Sequence, residues 1–215
     1  MLRHALAPVV PRAAGGLGLP RALPLPGVAL TFDDGPHPEG TPAVLELLAR
    51  AGAHASFFLV GEQVQRRPGL AAEILAAGHV VALHGHRHRL QLRMSPSQVR
   101  ADLARGAATL EDATGAAVVW HRPPYGIYSP AGLGAVRAAG WRPLLWSRWG
   151  KDWRRSTTPA AIAQRATRSL SAGDVILLHD ADFYCAHDSH RRTTEALPLI
   201  LAQLTRRKLD TVLPV

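Results

Sequence analysis

The sequence has only one cysteine, Cys185, which excludes a small domain held together by disulfide bonds. No apolar run approaches the roughly 20 residues that a membrane-spanning helix needs, because polar residues interrupt the longest helical patterns every few positions. Hydrophobic residues nevertheless make up 47% of the 215 residues, and charged residues 19%. This composition excludes a disordered chain, and the length fits one domain with a large core.

Lysine is also scarce, since Lys151 and Lys208 are the only two, and arginine supplies almost all of the 25 basic residues. Against 16 acidic residues they give a net charge of +9, which suggests an anionic substrate or surface. However, the arginines are scattered, and no stripe of interleaved aromatic and basic residues is present. We therefore expect no nucleic-acid partner.

Residues 1–26 contain several prolines, and Pro8 interrupts their apolar run from Ala5 to Val10. A secretory signal peptide needs 7–15 uninterrupted apolar residues and a cleavage site of small residues. We therefore expect a loosely ordered or strand-bearing extension instead of a signal peptide. This favours a cytoplasmic or membrane-peripheral location over a secreted one.

From residue 27 onward, short apolar runs alternate with segments of helical spacing. The predicted strands are 28–32, 55–60, 80–83, 118–120, 143–146, 175–178 and 211–213. The predicted helices are 41–51, 70–77, 95–115, 129–139, 158–173 and 193–207. Four Ser/Thr-Pro pairs mark helix starts. The alternation predicts parallel strands with right-handed crossovers. Because no Gly-x-Gly-x-x-Gly follows the first strand, a barrel-like α/β fold is favoured over a dinucleotide-binding open sheet.

Polar clusters follow the predicted strands, where barrel enzymes place their chemistry. Asp33 and Asp34 are adjacent carboxylates that point in different directions, so one can bind a metal while the other faces a substrate. His84 and His88 are four residues apart, and on a helical turn both imidazoles can share a metal. Each pattern alone has modest specificity, because acidic turns are common and the chain has 11 histidines. Together, Asp34 and two histidines form a ligand set that suits zinc best, and also iron or cobalt.

Further clusters follow the later strands. The loop 122–126 is stiffened by two prolines, so it can aim a backbone N–H at a developing oxyanion, and Arg122 can hold a carboxylate. His179 ends a predicted strand and is a natural general acid, because the pKa of histidine lies near neutrality. Asp152 can fix its tautomer. Taken singly, each cluster also fits an ordinary loop or a buried histidine.

Together and in this order, the clusters resemble the motifs of the polysaccharide deacetylases, carbohydrate esterase family 4, also called the NodB-homology domain. The similarity covers roughly residues 27–215, the predicted catalytic domain. The matching segments are Thr31–Pro36, His84–His88, Arg122–Gly126, Lys151–Trp153 and Leu177–Asp180. The resemblance implies a distorted (β/α) barrel of about seven parallel strands. It also implies a metal-dependent hydrolase that removes N-acetyl groups from an N-acetylhexosamine-containing polysaccharide, oligosaccharide or glycolipid.

The resemblance implies a role for each matching residue. Asp34, His84 and His88 would hold one divalent metal, with zinc as the first choice and cobalt or another divalent ion as alternatives. Asp33 would be the general base that activates the attacking water, and Arg122 would hold it in place.

The remaining matches complete the expected site. His179 would protonate the leaving amine with Asp152 polarising it, and the backbone N–H of Tyr125 would stabilise the oxyanion. The expected substrate-binding residues are Trp153, Leu177, Trp149 and Pro124. The implied partner is an acetylated glycan or glycolipid, and a monomer is the expected state.

Two features depart from the family pattern. Trp149 stands where the family often has an aspartate, and a bulky aromatic there can narrow the groove or offer a face for stacking on a sugar. Residues 181–192 are distinctive and fit either a lid over the site or a plain surface loop. Cys185 lies in this segment, but nothing supplies it with a base, so it is not expected to be a nucleophile.

Two alternatives stay open. One is a metal hydrolase of the same fold that acts on a non-sugar C–N amide bond, which Trp149 would permit. The other is a non-catalytic carbohydrate-binding relative. The complete set of a base, three metal ligands and an acid favours catalysis over the second.

Overall fold

The computed structural model describes residues 1–214, so Val215, the last residue of the expected catalytic domain, lies outside it. The strands are β1 (Ala29–Asp33), β2 (Ser56–Leu59), β3 (Val80–Leu83), β4 (Trp120–His121), β5 (Arg142–Pro143), β6 (Arg148–Trp149) and β7 (Val175–His179). The helices are α1 (Leu2–Leu6), α2 (Pro11–Gly15), α3 (Gly40–Arg50), α4 (Gly61–Arg66), α5 (Pro68–Ala76), α6 (Pro96–Thr114), α7 (Pro130–Ala138), α8 (Pro159–Ala166) and α9 (Ser189–Arg206).

The seven strands form one parallel sheet in the order β5-β4-β3-β2-β1-β7-β6. β5 and β6 are its two edges, yet only residues 144–147 join them. Such a link spans at most about 18 Å, whereas seven flat strands extend across about 29 Å. The sheet must therefore curl until its edges approach each other. The result is a half-barrel surrounded by helices, which confirms the expected distorted (β/α) barrel.

The central strands are buried on both faces, as parallel strands covered by helices are. All five residues of β1 are buried, and so are the first four of β7. Phe32 and Phe57 stack with ring centroids 5.2 Å apart across the β1–β2 pair. This core holds the carboxyl ends of the strands in a fixed register.

Three of the four predicted Ser/Thr-Pro helix starts are confirmed. The side chains of Ser95, Ser129 and Thr158 each accept a hydrogen bond from the third residue of the helix that follows. The fourth prediction is wrong, because α3 begins at Gly40 and Thr41 lies inside it. The Thr41 hydroxyl instead donates to Asp180.

Several predicted boundaries are also wrong. The strand expected at 143–146 is replaced by two short ones, β5 and β6, on opposite edges of the sheet. The strand expected at 211–213 is reduced to one parallel bridge between Thr211 and Val28. α8 ends at Ala166 instead of 173, and α9 begins at Ser189 instead of 193.

Residues 1–26 form α1, α2 and a connecting segment that packs on the barrel. Ala7, Ala14 and Leu19 are buried in the core cluster, and Ala22 forms an antiparallel bridge with Asp174. None of the helices formed by residues 1–214 is long and apolar enough to span a lipid bilayer.

Candidate active site

A cavity of about 270 Å³ opens at the carboxyl ends of the strands. The register pairs Asp33, the last residue of β1, with His179, the last residue of β7. It also pairs Leu83 of β3 with His121 of β4, so His84 and Arg122 follow on the same rim. The predicted site residues that line the cavity are Asp33, Asp34, His84, His88, Tyr125, Trp149, Trp153, Leu177 and His179.

Three predicted residues do not line the cavity. Arg122 and Asp152 are fully buried behind its wall, where each contacts a lining residue. Pro124 is buried in its own loop, next to Gly85. The chain therefore brings the predicted side chains to one rim, with a layer of supporting residues behind them.

Asp33 is held by the buried guanidinium of Arg122. Nη1 of Arg122 donates to Oδ1 of Asp33 at 2.6 Å and to the Thr31 hydroxyl at 2.9 Å. Its other nitrogens donate to the carbonyl oxygens of Leu144 and Leu145 at 2.9 and 3.0 Å. Burial raises the pKa of Asp33, and the Arg122 charge opposes that rise. Oδ2 of Asp33 is left on the cavity side, 3.8 Å from Nε2 of His84.

Asp34, His84 and His88 form a candidate metal centre. Oδ1 of Asp34 lies 3.5 Å from Nε2 of His84 and 3.3 Å from Nε2 of His88. Ligand atoms at about 2.0–2.2 Å from a tetrahedral zinc ion lie about 3.3–3.6 Å apart. Oδ1 of Asp34 is buried and has no hydrogen-bond partner among the described residues. The spacing and the orphaned oxygen both fit a divalent cation.

The protonation of the two histidines also suits a cation. Nδ1 of His84 lies 2.8 Å from the carbonyl oxygen of Arg122, which can only accept, so Nδ1 carries the proton and Nε2 keeps its lone pair. Burial lowers the pKa of both His84 and His88 to about 3, so both rings are neutral at pH 7. Burial also raises the pKa of Asp34 to about 7. A cation held by these three residues would accept their lone pairs, and its positive charge would stabilise the ionised form of the Asp34 carboxyl group.

His179, the last residue of β7, is paired with Asp152. Asp152 accepts hydrogen bonds from Nδ1 and the backbone N–H of His179 at 3.0 and 2.7 Å, and from the Thr193 hydroxyl at 2.8 Å. Burial alone would lower the pKa of His179. The carboxylates of Asp152, Asp34 and Asp33 outweigh burial and raise that pKa to about 10. The ring is therefore protonated at neutral pH and can donate a proton.

An aromatic wall borders His179. The rings of Trp146 and Trp149 are 5.9 Å apart, those of Trp149 and Trp153 are 5.5 Å apart, and Trp153 is 5.5 Å from the His179 ring. Nζ of Lys151 lies 4.8 Å from the Trp149 ring centre. Trp149 thus faces the cavity, as expected from its position three residues before Asp152. Trp146 also lines the cavity but was not predicted, because the sequence indicated it only as the last residue of the strand expected at 143–146.

Tyr125 belongs to a tight turn on another side of the cavity. Its φ is +61°, and that of Gly126 is +68°. The Tyr125 ring is 56% exposed and makes an edge contact with His88 at 4.7 Å. A Cβ atom on Gly126 would lie 2.5 Å from the Trp146 ring. The turn therefore needs glycine at this point, both for its backbone angle and for space.

Two residues of the segment 181–192, Tyr184 and Cys185, line the cavity although neither was among the predicted site residues. The Tyr184 ring stacks on His88, with centroids 4.2 Å apart and planes 11° apart. Its hydroxyl donates to Glu62 at 2.7 Å and accepts from Gln63 at 3.1 Å. Sγ of Cys185 donates to Oδ2 of Asp34 at 3.5 Å. This segment therefore forms part of the cavity wall.

The thiol of Cys185 has little nucleophilic character. Burial and the nearby Asp34 carboxylate raise its pKa well above the ordinary value, so it stays protonated at neutral pH. This agrees with the sequence, which supplied no base for it.

The predicted geometry of His84 and His88 needs a correction. Residues 84–88 are not a helical turn. The two imidazoles meet because the chain bends at Gly85, whose φ is +84°. The backbone N–H of His86 donates to Asp102 at 2.9 Å, and His86 does not line the cavity. The His84 and His88 imidazoles lie close together, as their four-residue spacing predicted, but a loop brings them together instead of a helical turn.

A family model described as "Polysaccharide deacetylase" matches residues 22–144. A peptidoglycan-N-acetylglucosamine deacetylase of Bacillus cereus is 33% identical over 182 residues, which cover 84% of this chain and 82% of that one. A chitooligosaccharide deacetylase of a Bradyrhizobium species is 32% identical over 190 residues, which cover 85% and 86% of the two chains.

A solved structure from Bacillus anthracis is also similar, with a TM-score of 0.78 and 26% identity. It is described as a pseudoenzyme of carbohydrate esterase family 4. The similarity covers 87% of this chain but 63% of that protein, so the chain spans less than two thirds of its length. Similarity of fold therefore does not by itself establish turnover.

Proposed function

The chain belongs to the polysaccharide deacetylase family, carbohydrate esterase family 4, and from that membership we propose that it hydrolyses N-acetyl groups on an N-acetylhexosamine-containing glycan. Its substrate class is a polysaccharide, an oligosaccharide or a glycolipid. The proposed cofactor is one divalent cation, with zinc as the first choice, held by Asp34, His84 and His88. When bound, the cation would act as a Lewis acid that polarises the amide carbonyl and makes water more acidic.

The observation that carries this proposal is that one cavity is lined by a proton acceptor, Asp33, and a proton donor, His179. Asp33 has one oxygen fixed by Arg122 and the other free for a proton. His179 is charged at neutral pH, because the carboxylates around it raise its pKa to about 10. A proton acceptor and a proton donor that face the same space are what amide hydrolysis needs.

The proposed reaction uses these residues in order. Oδ2 of Asp33 accepts a proton from the attacking water as it adds to the acetyl carbonyl. The backbone N–H of Tyr125 stabilises the negative charge that develops on the carbonyl oxygen. His179 then protonates the leaving nitrogen, and Asp152 holds the ring in the right tautomer. The C–N bond breaks, which releases acetate and a free amine on the sugar.

The aromatic wall supports a sugar substrate. Trp149 and Trp153 present flat apolar faces that can pack against the C–H face of a pyranose ring, while Leu177 and Trp153 can enclose the acetyl methyl group. The volume of about 270 Å³ lies just below the roughly 300–1,000 Å³ of typical ligand pockets. We therefore expect the cavity to hold one sugar residue and its acetyl group, with the rest of the glycan outside.

The experiment is acetate release from soluble N-acetylglucosamine oligomers by zinc-loaded protein, with the zinc-loaded Asp33→Asn variant as the matched control. Asparagine keeps the size of the side chain but cannot accept the proton, so we expect at least about 100-fold slower release. An equal rate in both proteins would refute the assigned base. Zinc binding without release from glycans would favour the pseudoenzyme alternative, or the non-sugar amide if an N-acetylated amine outside sugars is cleaved instead.

A further inference from the structure

Most of the large hydrophobic side chains that residues 1–214 expose lie in one short segment. Leu2, Leu6, Val9 and Val10 are 74%, 37%, 53% and 37% exposed. Elsewhere, such exposure is confined to isolated positions such as Val119 and Leu199. Single exposed apolar residues are normal, whereas a contiguous group marks an interaction surface.

These four side chains form one stripe. Leu2 and Leu6 are four residues apart on α1. The backbone of Val10 is extended, but residues 7–9 form a turn directly after α1. The backbone N–H groups of Val9 and Val10 both donate to the Leu6 carbonyl, at 3.0 and 2.8 Å, so these residues lie one turn beyond Leu6. Residues at such spacing share one face. We call Leu2, Leu6, Val9 and Val10 the N-terminal stripe.

The opposite side of this segment is fixed to the barrel. His4, Ala7 and Pro8 are buried. Pro8 lies beside Gly126, and Nε of Arg21 donates to the carbonyl oxygen of Trp146 at 2.7 Å. Gly126 and Trp146 both line the active-site cavity. The N-terminal stripe is therefore displayed by an ordered segment, one layer away from the wall of the cavity.

The charged side chains of the segment that carries the stripe are of one sign. Residues 1–32 contain no aspartate or glutamate, and Arg3 and Arg12 are exposed in the same segment as the stripe. An apolar face flanked by arginines fits the interface of an anionic bilayer, where apolar side chains enter the headgroup region and basic side chains meet lipid phosphates. A second copy of this chain would bring the same positive charges together, which disfavours self-association through this face.

We propose that the N-terminal stripe, with Arg3 and Arg12, docks the protein on an anionic lipid surface. Docking there would place the cavity next to glycans that are anchored in the bilayer. This consequence for the substrate rests on the proposed function, whereas the docking itself does not.

The test is flotation with vesicles of phosphatidylcholine containing 30% phosphatidylglycerol, against vesicles of phosphatidylcholine alone. We expect the full chain to bind the anionic vesicles more tightly, and less so in high salt. The variant Leu2→Ser/Leu6→Ser should lower partitioning at least about tenfold, because apolar burial is lost. The variant Arg3→Gln/Arg12→Gln should lower it by about 25-fold, since each basic residue contributes about fivefold.

The matched control is Val119→Ser/Leu199→Ser, which removes two exposed apolar side chains of similar exposure, 46% and 44%, from other surfaces. It should bind anionic vesicles as the wild type does. Near-ultraviolet circular dichroism of each variant verifies the fold. The proposal would be overturned if the control and the stripe variants bound anionic vesicles equally well. It would also be overturned if the wild type showed no preference for anionic vesicles, or if it formed a dimer that dissociates in Leu2→Ser/Leu6→Ser. Because binding is measured without turnover, an inactive protein that still binds would count against the proposed function alone.

Discussion

The replacement Asp152→Asn should lower the pKa of His179 and, with it, the alkaline limit of activity. Burial lowers that pKa, but the charge and hydrogen bond of Asp152 are the strongest of the influences that raise it to about 10. The rise from 6.5 to about 10 corresponds to about 5 kcal/mol in favour of the protonated ring. Asparagine keeps a hydrogen-bonding side chain of the same size but removes the charge. We therefore expect the pKa of His179 to fall by at least about 2 units.

The assay is the pH dependence of kcat/KM for acetate release, with the histidine ring protons followed by NMR. In Asp152→Asn the alkaline limb should lie at least about 2 pH units below that of the wild type, because the charge that favours the protonated ring is lost. The control is Thr193→Val, which removes a hydrogen bond to Asp152 but keeps its charge, so the limb should move by less than about half a unit. An alkaline limb that stays in place in Asp152→Asn would refute the assignment of His179 as the acid.

Three further outcomes are expected. Tyr184→Ala should weaken zinc binding about tenfold in calorimetric titration, because the ring that stacks on His88 is lost. Tyr184→Phe keeps that ring and should retain most of the affinity. Equal zinc affinities of the wild type and both variants would contradict this. Gly126→Ala should lower the free energy of urea unfolding by roughly 1–3 kcal/mol, since its φ is +68° and a tryptophan ring blocks the added carbon, whereas Gly134→Ala, with open space in a helix, should be neutral or stabilising. In metal-free protein, the stabilisation from His179 is complete below pH 6.5 and is lost as the pH rises towards 10, so the free energy of unfolding should fall across that range; a flat profile would argue against the raised pKa.

The sequence was sufficient for the parts of the fold with strong local signals. β1 and β7 are continuous apolar runs, and the Ser-Pro pairs at 95 and 129 cap their helices directly. β6 was missed because Arg148–Trp149 has no strand pattern of its own and is defined by its pairing with β7. Likewise, the strand predicted at 211–213 is only a single bridge at Thr211. Elements fixed by tertiary pairing leave little trace in local sequence.

In the cavity, too, residues with a local sequence signal were predicted and residues placed by tertiary contacts were not. Three features predicted that Asp34, His84 and His88 meet: their positions after apolar runs, the four-residue spacing of the histidines and the family resemblance. The three side chains lie together. Tyr184 and Cys185 lie in a loop without periodicity, so nothing local indicated that their side chains contact His88 and Asp34 of the candidate metal centre. Only the fold of residues 181–192, which the sequence left open between a lid and a surface loop, brings them to the wall.

The most direct test of the account is a zinc titration of the chelated protein with acetate release measured at each step. The account predicts negligible release without metal, a linear rise that ends at one zinc per chain, and no rise in His88→Ala. Full activity in the chelated protein, or release that does not follow zinc occupancy, would contradict the assignment of Asp34, His84 and His88 as the metal centre of a deacetylase.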